Sequence, residues 1–482
     1  MGVLSALEPV NVFKFFEEIC AIPHGSGNVK QISDYLVDFA KERNLKYRQD
    51  EKYNVIIWKG GSKGYENSKP VILQGHMDMV AVKVDGCDKD MEKEGLGLEI
   101  NGDFISAKDT SLGGDDGIAV AYALAILDDD TLAHPPIEAI FTVDEEIGML
   151  GADFMDVSDL EGRLFMNMDS EDEGIFTVSC AGGATVTANI PYKTEPVNAS
   201  IIEIRIDGFL GGHSGVEIDK GRVNANCAMG RILLNVFQNM GMRIVTINGG
   251  EKDNAIAKFS EAAVVVLPET VEKAKQIIND TFNEIKDEYS SIEKDAKITV
   301  NVIESQFTEA FSDASTLATV ITLVNMPNGI QRMNPDMEGM VQTSLNLGIL
   351  RTEKDKVKMS FCVRSSSDTE KKYLIDKMSS LVEIFGGNVD ITGLYPGWEY
   401  KADSKLRDIM VQVYKDLYGE EPVVEGIHAG LECGIFASKL PGLDAVSFGP
   451  QMEHIHTTNE VLSISSTKRT WELAVKTLEA LK

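Results

Sequence analysis

His76 and Asp78 stand two residues apart at the end of the apolar run Val71-Ile72-Leu73. Side chains alternate along an extended chain, so residues two apart share a face and can enter one site together. A cation-binding imidazole uses one ring nitrogen for the metal and is oriented when a carboxylate accepts the N–H of the other. Taken alone, a His-x-Asp pair after a strand is an ordinary surface feature. It is not alone. Asp115 and Asp116 lie in Ser111-Leu112-Gly113-Gly114-Asp115-Asp116-Gly117, Glu145 and Glu146 follow Ile140-Phe141-Thr142-Val143-Asp144, and Asp169 follows Leu164-Phe165-Met166-Asn167-Met168. His454-Ile455-His456-Thr457 comes near the end of the chain. Histidines and carboxylates without cysteine form a hard-to-borderline donor set that suits Zn²⁺, Mn²⁺ or Co²⁺.

The elements around these residues predict how they are held. Each acidic cluster sits at the end of a strand or the start of a helix, where α/β proteins carry their chemistry. The Ala-rich run 118–124 is a good helix former, with two aspartates at its positive end. Ile32, Leu36 and Phe39 recur at helical spacing over 28–44, with Ser26 and Asn28 available as caps. Residues 54–58 and 104–107 read as strands. To residue 187 the alternation is that of an α/β domain. From 188 the pattern changes: Ile202-Glu203-Ile204-Arg205-Ile206-Asp207 alternates apolar with charged, as do 341–347 and 357–364, the mark of strands with one wet face. Helical spacing at Val271, Ala274, Ile278, Thr281 and Ile285, and again over 369–385, makes 188–393 an α+β domain. Its strand–helix–strand style occurs twice, before and after about residue 310, as in a duplicated layer. After Gly393 the α/β style returns, with helices at 405–417, stopped by Gly419, and 467–481. His456 can join His76 only if 1–187 and 394–482 form one discontinuous domain.

Forty-six basic against 76 acidic residues give a formal charge of −30, which argues against nucleic-acid or anionic-membrane partners. Six scattered cysteines without a Cys-x-x-Cys pair predict free thiols in a reducing compartment. With neither a signal-peptide pattern nor a long apolar span, the expected location is the cytoplasm.

The motifs Gly75-His76-Met77-Asp78, Gly113-Gly114-Asp115-Asp116-Gly117, Asp144-Glu145-Glu146-Ile147-Gly148, Asn167-Met168-Asp169, Gly211-Gly212-His213-Ser214-Gly215 and the late His456 occur in this order through nearly the whole chain. In this the sequence resembles the two-zinc aminoacylase/dipeptidase metallopeptidase family. The resemblance implies an α/β catalytic domain, a mixed sheet flanked by helices, with an inserted α+β lid. It implies two divalent cations, Zn²⁺ first and Mn²⁺ or Co²⁺ as alternatives, sharing Asp115 and a water. His76 and Asp169 would complete one metal, and Glu146 and His456 the other. It makes Glu145 the general base, Asp78 the orienter of His76, and the Asp115–Asp116 peptide bond cis. In the lid it assigns His213 to the carbonyl oxygen of the substrate. Arg364 and Asn254 fall to the substrate carboxylate, and His428 and Gly430 to a substrate-contacting loop. The implied function is a dipeptidase of Xaa-His and related dipeptides, working as a monomer or homodimer.

Four other functions fit parts of the pattern. An N-acyl-amino-acid deacylase or a tripeptidase of the same family would use the same metal ligands. A catalytically silent metal-binding protein would have no use for Glu145 beside Glu146. A two-metal phosphoesterase would need a basic phosphate clamp near the ligands, which is not found.

Overall fold

A computed structural model describes residues 2–482, which divide into two compact units. The first comprises the chain up to Cys180, Tyr400–Gly426 and Leu431–Lys482; the second comprises Ala181–Glu399 and Ile427–Gly430. The expected boundary at 187/188 would cut through the strand Gly182–Pro191. That strand pairs along its full length with Lys356–Ser365 and again with Asn388–Tyr395, so its hydrogen bonds place all of it in the second unit.

The first unit is built on an eight-stranded mixed sheet. Its order is Lys46–Gln49, Val55–Lys59, Ile137–Thr142, Val71–His76, Leu164–Asn167, Asp444–Ser447, Ile175–Cys180 and Val423–Ile427. Ile137–Thr142, Val71–His76, Leu164–Asn167 and Asp444–Ser447 run parallel. Every residue of Val71–His76 and of Ile137–Thr142 is buried, as strands covered on both faces require. The helix Gly114–Asp128 is buried through Leu127 and packs on this sheet. That accounts for its unbroken apolar composition, since a helix hydrophobic all round belongs in a core. Helices Lys405–Tyr418 and Ile464–Ala480 form as their periodicity predicts, the first ending at Gly419 in the left-handed conformation. The capping expectation for the second helix of the chain, Lys30–Glu42, does not hold, because its N-cap is Val29 without a side-chain bond. Ser26 instead donates to Asp78, and Asn28 to the carbonyl of Glu92.

The second unit is an antiparallel sheet ordered Lys297–Phe311, Thr194–Asp207, Ser260–Val266, Arg243–Gly249, Val341–Thr352, Lys356–Ser365, Gly182–Pro191 and Asn388–Tyr395, with Gly329–Met333 added beside Val341–Thr352. Two halves meet where Gly249 pairs with Leu350. Alternate strand residues, such as Ile202, Ile204 and Ile206 or Val357, Met359, Phe361 and Val363, enter one core. The helices Ala225–Met240, Val271–Glu288, Asp313–Asn325 and Asp368–Ile384 add their apolar sides to it. The period-two pattern of the sequence thus becomes one dry face and one wet face. Among the described residues no disulfide joins any two of the six cysteines, and no helix is long and apolar enough to cross a membrane.

Candidate active site

Three neighbouring parallel strands end together. His76 lies opposite Thr142, and Gln74 opposite Asn167, so the residues that follow each strand emerge at one edge of the sheet. The first strand delivers His76 and Asp78, the second Glu145 and Glu146, and the third Asp169. Helix Gly114–Asp128 presents its first residues, Asp115 and Asp116, to the same edge. Close approach of strand and helix depends on Gly75: a Cβ there would lie 2.5 Å from the Cβ of Ala119 and 2.6 Å from Asp116 Oδ2. The Asp115–Asp116 peptide bond is cis.

The donor atoms converge. His76 Nε2 lies 3.0 Å from Asp115 Oδ1 and 3.6 Å from Asp169 Oδ1. His456 Nε2 lies 3.0 Å from Asp115 Oδ2 and 3.0 Å from Glu146 Oε1. One carboxylate therefore turns one oxygen to each of two imidazoles. A tetrahedral cation with bonds of about 2.0–2.1 Å holds its donors about 3.3 Å apart, so both groups have the spacing of a ligand set. His76, Asp115 and Glu146 form one group of metal-competent atoms, and His76, Asp116 and Asp169 another. Asp116 was not among the sequence candidates. Its Oδ2 accepts the backbone N–H of His76 at 3.2 Å, and burial raises its carboxyl well above the usual range. Asp116 thus already props the backbone of His76, whereas Asp115 turns one oxygen to each imidazole.

The electrostatics carry the same message. Burial, opposed by His76 and reinforced by Asp169, Glu432 and Glu146, pushes Glu145 up to about 9. Burial also raises Asp169 to about 6, against the pull of His76. Burial works against the carboxylate of Asp115, but hydrogen bonds from His456 and His76 outweigh it and hold Asp115 below the usual range. His456, bonded to Asp115 and Glu146, rises to about 10. Two imidazoles are being asked to neutralise a surplus of carboxylates. A dication among these oxygens favours ionised carboxylates and neutral imidazoles instead.

Asp78 faces His76, as the sequence implies, and has a second task. His76 Nδ1 bonds the main-chain oxygen of Asp78 at 2.9 Å, while the Asp78 carboxylate stands 3.6 Å away. That carboxylate accepts from the backbone N–H groups of Glu145 (3.1 Å) and Glu146 (3.4 Å) and from Ser26 Oγ (2.8 Å). An extended chain would aim both side chains one way, but the strand ends at His76. Beyond it, Asp78 turns to grip the acidic turn. Asp144 joins the same layer by accepting the Gly27 N–H at 2.6 Å. Of the remaining histidines, His24 and His134 are buried against backbone carbonyls, and His454 is exposed.

Two further carboxylates went unnoticed in the sequence. Glu432 is fully buried, accepts from Gln74 (2.6 Å) and Thr142 (2.7 Å), and is raised to about 8, chiefly by burial. Glu460 accepts backbone N–H groups of the loop that carries Asp115. A single glutamate in a polar loop gives no signal of its own.

The second unit holds a separate polar cluster. His213 pairs with Ala255 across a short ladder, and Ser214 N–H donates to the carbonyl of Asn254, an exposed residue. His213 Nδ1 accepts from Gly215 and Val216 N–H, both at 3.2 Å, which leaves its hydrogen on Nε2. Burial and then the Arg364 charge lower its pKa, so the ring is neutral near pH 7. Arg364 is buried on Lys356–Ser365, with no hydrogen-bond partner for Nε among the described residues. His428 Nε2 and Ser344 Oγ are 2.7 Å apart, and burial followed by the Arg364 charge lowers His428 to about 4. Gly215 lets these groups gather: a Cβ there would meet the His428 carbonyl at 2.6 Å and Arg364 Nε at 3.1 Å. Gly430 ends the short 427–430 segment that brings His428 into this unit.

Metal-competent atoms gathered at the carboxyl edge of parallel strands, with a further buried carboxyl beside them, are arranged as in a metal-dependent hydrolase. Residues 72–480 match peptidase family M20/M25/M40, and the chain belongs to that family. It is a hydrolase acting on peptide bonds. The chain is 35% identical over 485 residues to the cytosol non-specific dipeptidase of Escherichia coli (strain K12), covering 100% of this chain and 99% of that protein. The crystal structure of aminoacylhistidine dipeptidase from Vibrio alginolyticus superimposes with a TM-score of 0.95 at 35% identity, covering 99% of this chain and 98% of that one. Aminopeptidase PepT from Bacillus cereus ATCC 10987, at 17% identity and a TM-score of 0.57 over 98% of this chain and 99% of that one, shares the fold.

Proposed function

We propose that this protein is a metal-dependent dipeptidase that cleaves Xaa-His and related dipeptides, with Zn²⁺ as its first-choice metal and the cytoplasm as its location. The observation that carries this reading is Asp115, one oxygen 3.0 Å from each of two imidazoles, with Glu145 held beside Glu146 on the neighbouring turn. Both 35%-identical relatives are named dipeptidases; the name of the Vibrio relative supplies the Xaa-His class, and that of the E. coli relative the location. His76 and Asp169 would hold one cation, Glu146 and His456 the other, and Asp115 both. When bound, such cations would supply acidification of a water towards neutrality and polarisation of the scissile carbonyl.

The chain's own groups do the rest. Glu145 takes the proton from the attacking water and passes it to the departing amine. The backbone bonds from Glu145 and Glu146 to Asp78 keep base and ligand on separate sides of one turn. Residues of the second unit, acting as a lid, hold the substrate: Arg364 offers a planar fork to the C-terminal carboxylate, assisted by Asn254. Neutral His213 donates its Nε2 hydrogen to the developing oxyanion. His428 and Gly430 line the backbone of the peptide.

A panel of dipeptides, acetyl-amino acids and tripeptides, offered to Zn-, Mn- and Co-loaded protein, tests the reading. Preferential turnover of Xaa-His dipeptides is expected. Turnover confined to acetyl-amino acids or to tripeptides would replace it with the deacylase or tripeptidase function.

A further inference from the structure

We propose that Glu460 is a positioning residue that sets Asp115 and His456 at their mutual distance. The inference rests on the reading of those two residues as metal ligands. Glu460 is only 3% exposed. Its Oε2 accepts the N–H groups of Leu112 (2.8 Å) and Gly113 (3.1 Å), and its Oε1 those of Gly114 (2.8 Å) and Asp115 (3.4 Å). Four consecutive amides thus converge on one carboxylate. These amides belong to the loop that leads into the helix Gly114–Asp128, whose backbone leaves regular helical geometry at Asp115 and Asp116, and the carboxylate satisfies N–H groups that have no acceptor within the helix.

The loop is shaped for this contact. Gly113 has φ +67°, and a Cβ there would lie 2.7 Å from Met79 Sδ; one on Gly114 would lie 3.1 Å from Met452 Sδ. At Gly113 the left-handed backbone would strain a residue with a Cβ, and at Gly114 a Cβ would press on the Met452 side chain.

The other end of the device is His456. Only three residues separate it from Glu460, and the turn between them is closed by the Glu460 N–H on the Thr457 carbonyl at 3.3 Å. Directly after Glu460 the strand Val461–Ser463 pairs with Phe104–Ala107. Glu460 is therefore where the His456 turn is tied to the Asp115 loop. The 3.0 Å between His456 Nε2 and Asp115 Oδ2 spans two side chains, one on the loop whose amides meet the Glu460 carboxylate and the other on the turn that Glu460's own backbone closes. Half of the Asp115 bridge thus depends on a residue that itself offers nothing to a metal.

Glu138 supplies an internal control. It is likewise 3% exposed and accepts two backbone N–H groups, from Glu161 (3.0 Å) and Gly162 (2.9 Å). It lies at the beginning of the strand Ile137–Thr142, away from the ligand-bearing end. Removing either carboxylate's charge costs stability; only Glu460 should cost metal.

The test is titration of metal-stripped protein with Mn²⁺ and with Zn²⁺ by calorimetry, paired with thermal unfolding without metal. Glu460→Gln turns an amide N–H group towards backbone donors and is expected to weaken divalent affinity about 10–100-fold, as lost outer partners of metal ligands do. Glu138→Gln is expected to lower Tm with wild-type metal affinity, and Glu460→Asp to bind metal with intermediate affinity. Wild-type metal affinity in Glu460→Gln would overturn the proposal. So would equal weakening in Glu138→Gln, which would make the effect a general loss of stability. If Glu460→Gln does not fold, Glu460→Asp decides: weakened binding supports the role, and wild-type binding overturns it. Wild-type protein that binds no divalent cation would overturn the metal reading itself, and the proposal with it.

Discussion

The sheet edge of the first unit collects Asp115, Glu145, Glu146 and Asp169 around two imidazoles, whereas the polar cluster of the second unit collects the side chains of Arg364, His213 and His428, and its one carboxylate contact among the described residues is Glu217 on the backbone N–H of His213. Burial acts on both, with opposite results. In the first it raises carboxyls, Glu145 to about 9, because charge of one sign is crowded there. In the second, burial and the guanidinium lower the imidazoles, His428 to about 4. The first cluster carries surplus negative charge and the second an unpaired guanidinium nitrogen. The difference shows that burial alone does not set the charge a cluster favours; the groups gathered in it do.

The contrast is open to attack on each side. Glu145→Gln attacks the first unit most severely: turnover should fall by about 10²–10⁴-fold, with metal content and dipeptide affinity kept. Near-normal turnover in that variant would move the base elsewhere. His213→Ala strikes the second unit, and kcat should drop about 10²–10³-fold, with metal content unchanged and little effect on KM. An unaltered kcat would remove His213 from the reaction. Arg364→Lys keeps the charge but not the fork, and should raise KM for dipeptides about 10-fold, in line with the roughly 1.5–3 kcal/mol of a charge-assisted bond. If KM is unchanged for dipeptides with a free C-terminus, the carboxylate is read elsewhere.

The smallest effect is a pH slope. His428 is held neutral in the folded protein at pH values where its unfolded form, near 6.5, is protonated. The unfolded state therefore binds more protons between about 6.5 and 4, and stability falls as pH drops through that window. The loss is on the order of 3 kcal/mol for His428 alone. Urea unfolding of the metal-stripped protein at pH 7 and pH 4.5 should show it, and His428→Gln should flatten the slope. An identical slope in the variant would assign the pH dependence to other groups.

Much of the architecture was legible in the chain because it depends on local periodicity. Period two in Ile202-Glu203-Ile204 and period three to four in Val271–Ile285 follow from which face of an element meets the core, and both elements formed as expected. The order of the motifs was equally informative, and the family to which the chain belongs follows that order. His76 and Asp169 could be nominated because they close strand-like apolar runs, and parallel strands in one layer necessarily end at one edge.

What the sequence could not decide was who holds whom across hundreds of residues. Asp78 looked like the partner of the neighbouring His76, but nothing in the chain showed that its carboxylate also holds the backbone of Glu145 and Glu146 while its carbonyl bonds the histidine. Ser26 looked like a helix cap and is a donor to Asp78. The segment 427–430 belongs with the second unit although the chain on either side of it belongs with the first. Glu432 and Glu460 are written like any solvated glutamate, and only the fold buries them and supplies the hydroxyl, amide and backbone N–H groups that satisfy them. The physical reason is one of range. An alternating pattern is a property of neighbouring residues, whereas the partner of a buried carboxylate is set by which distant backbone the packed core brings within about 3 Å.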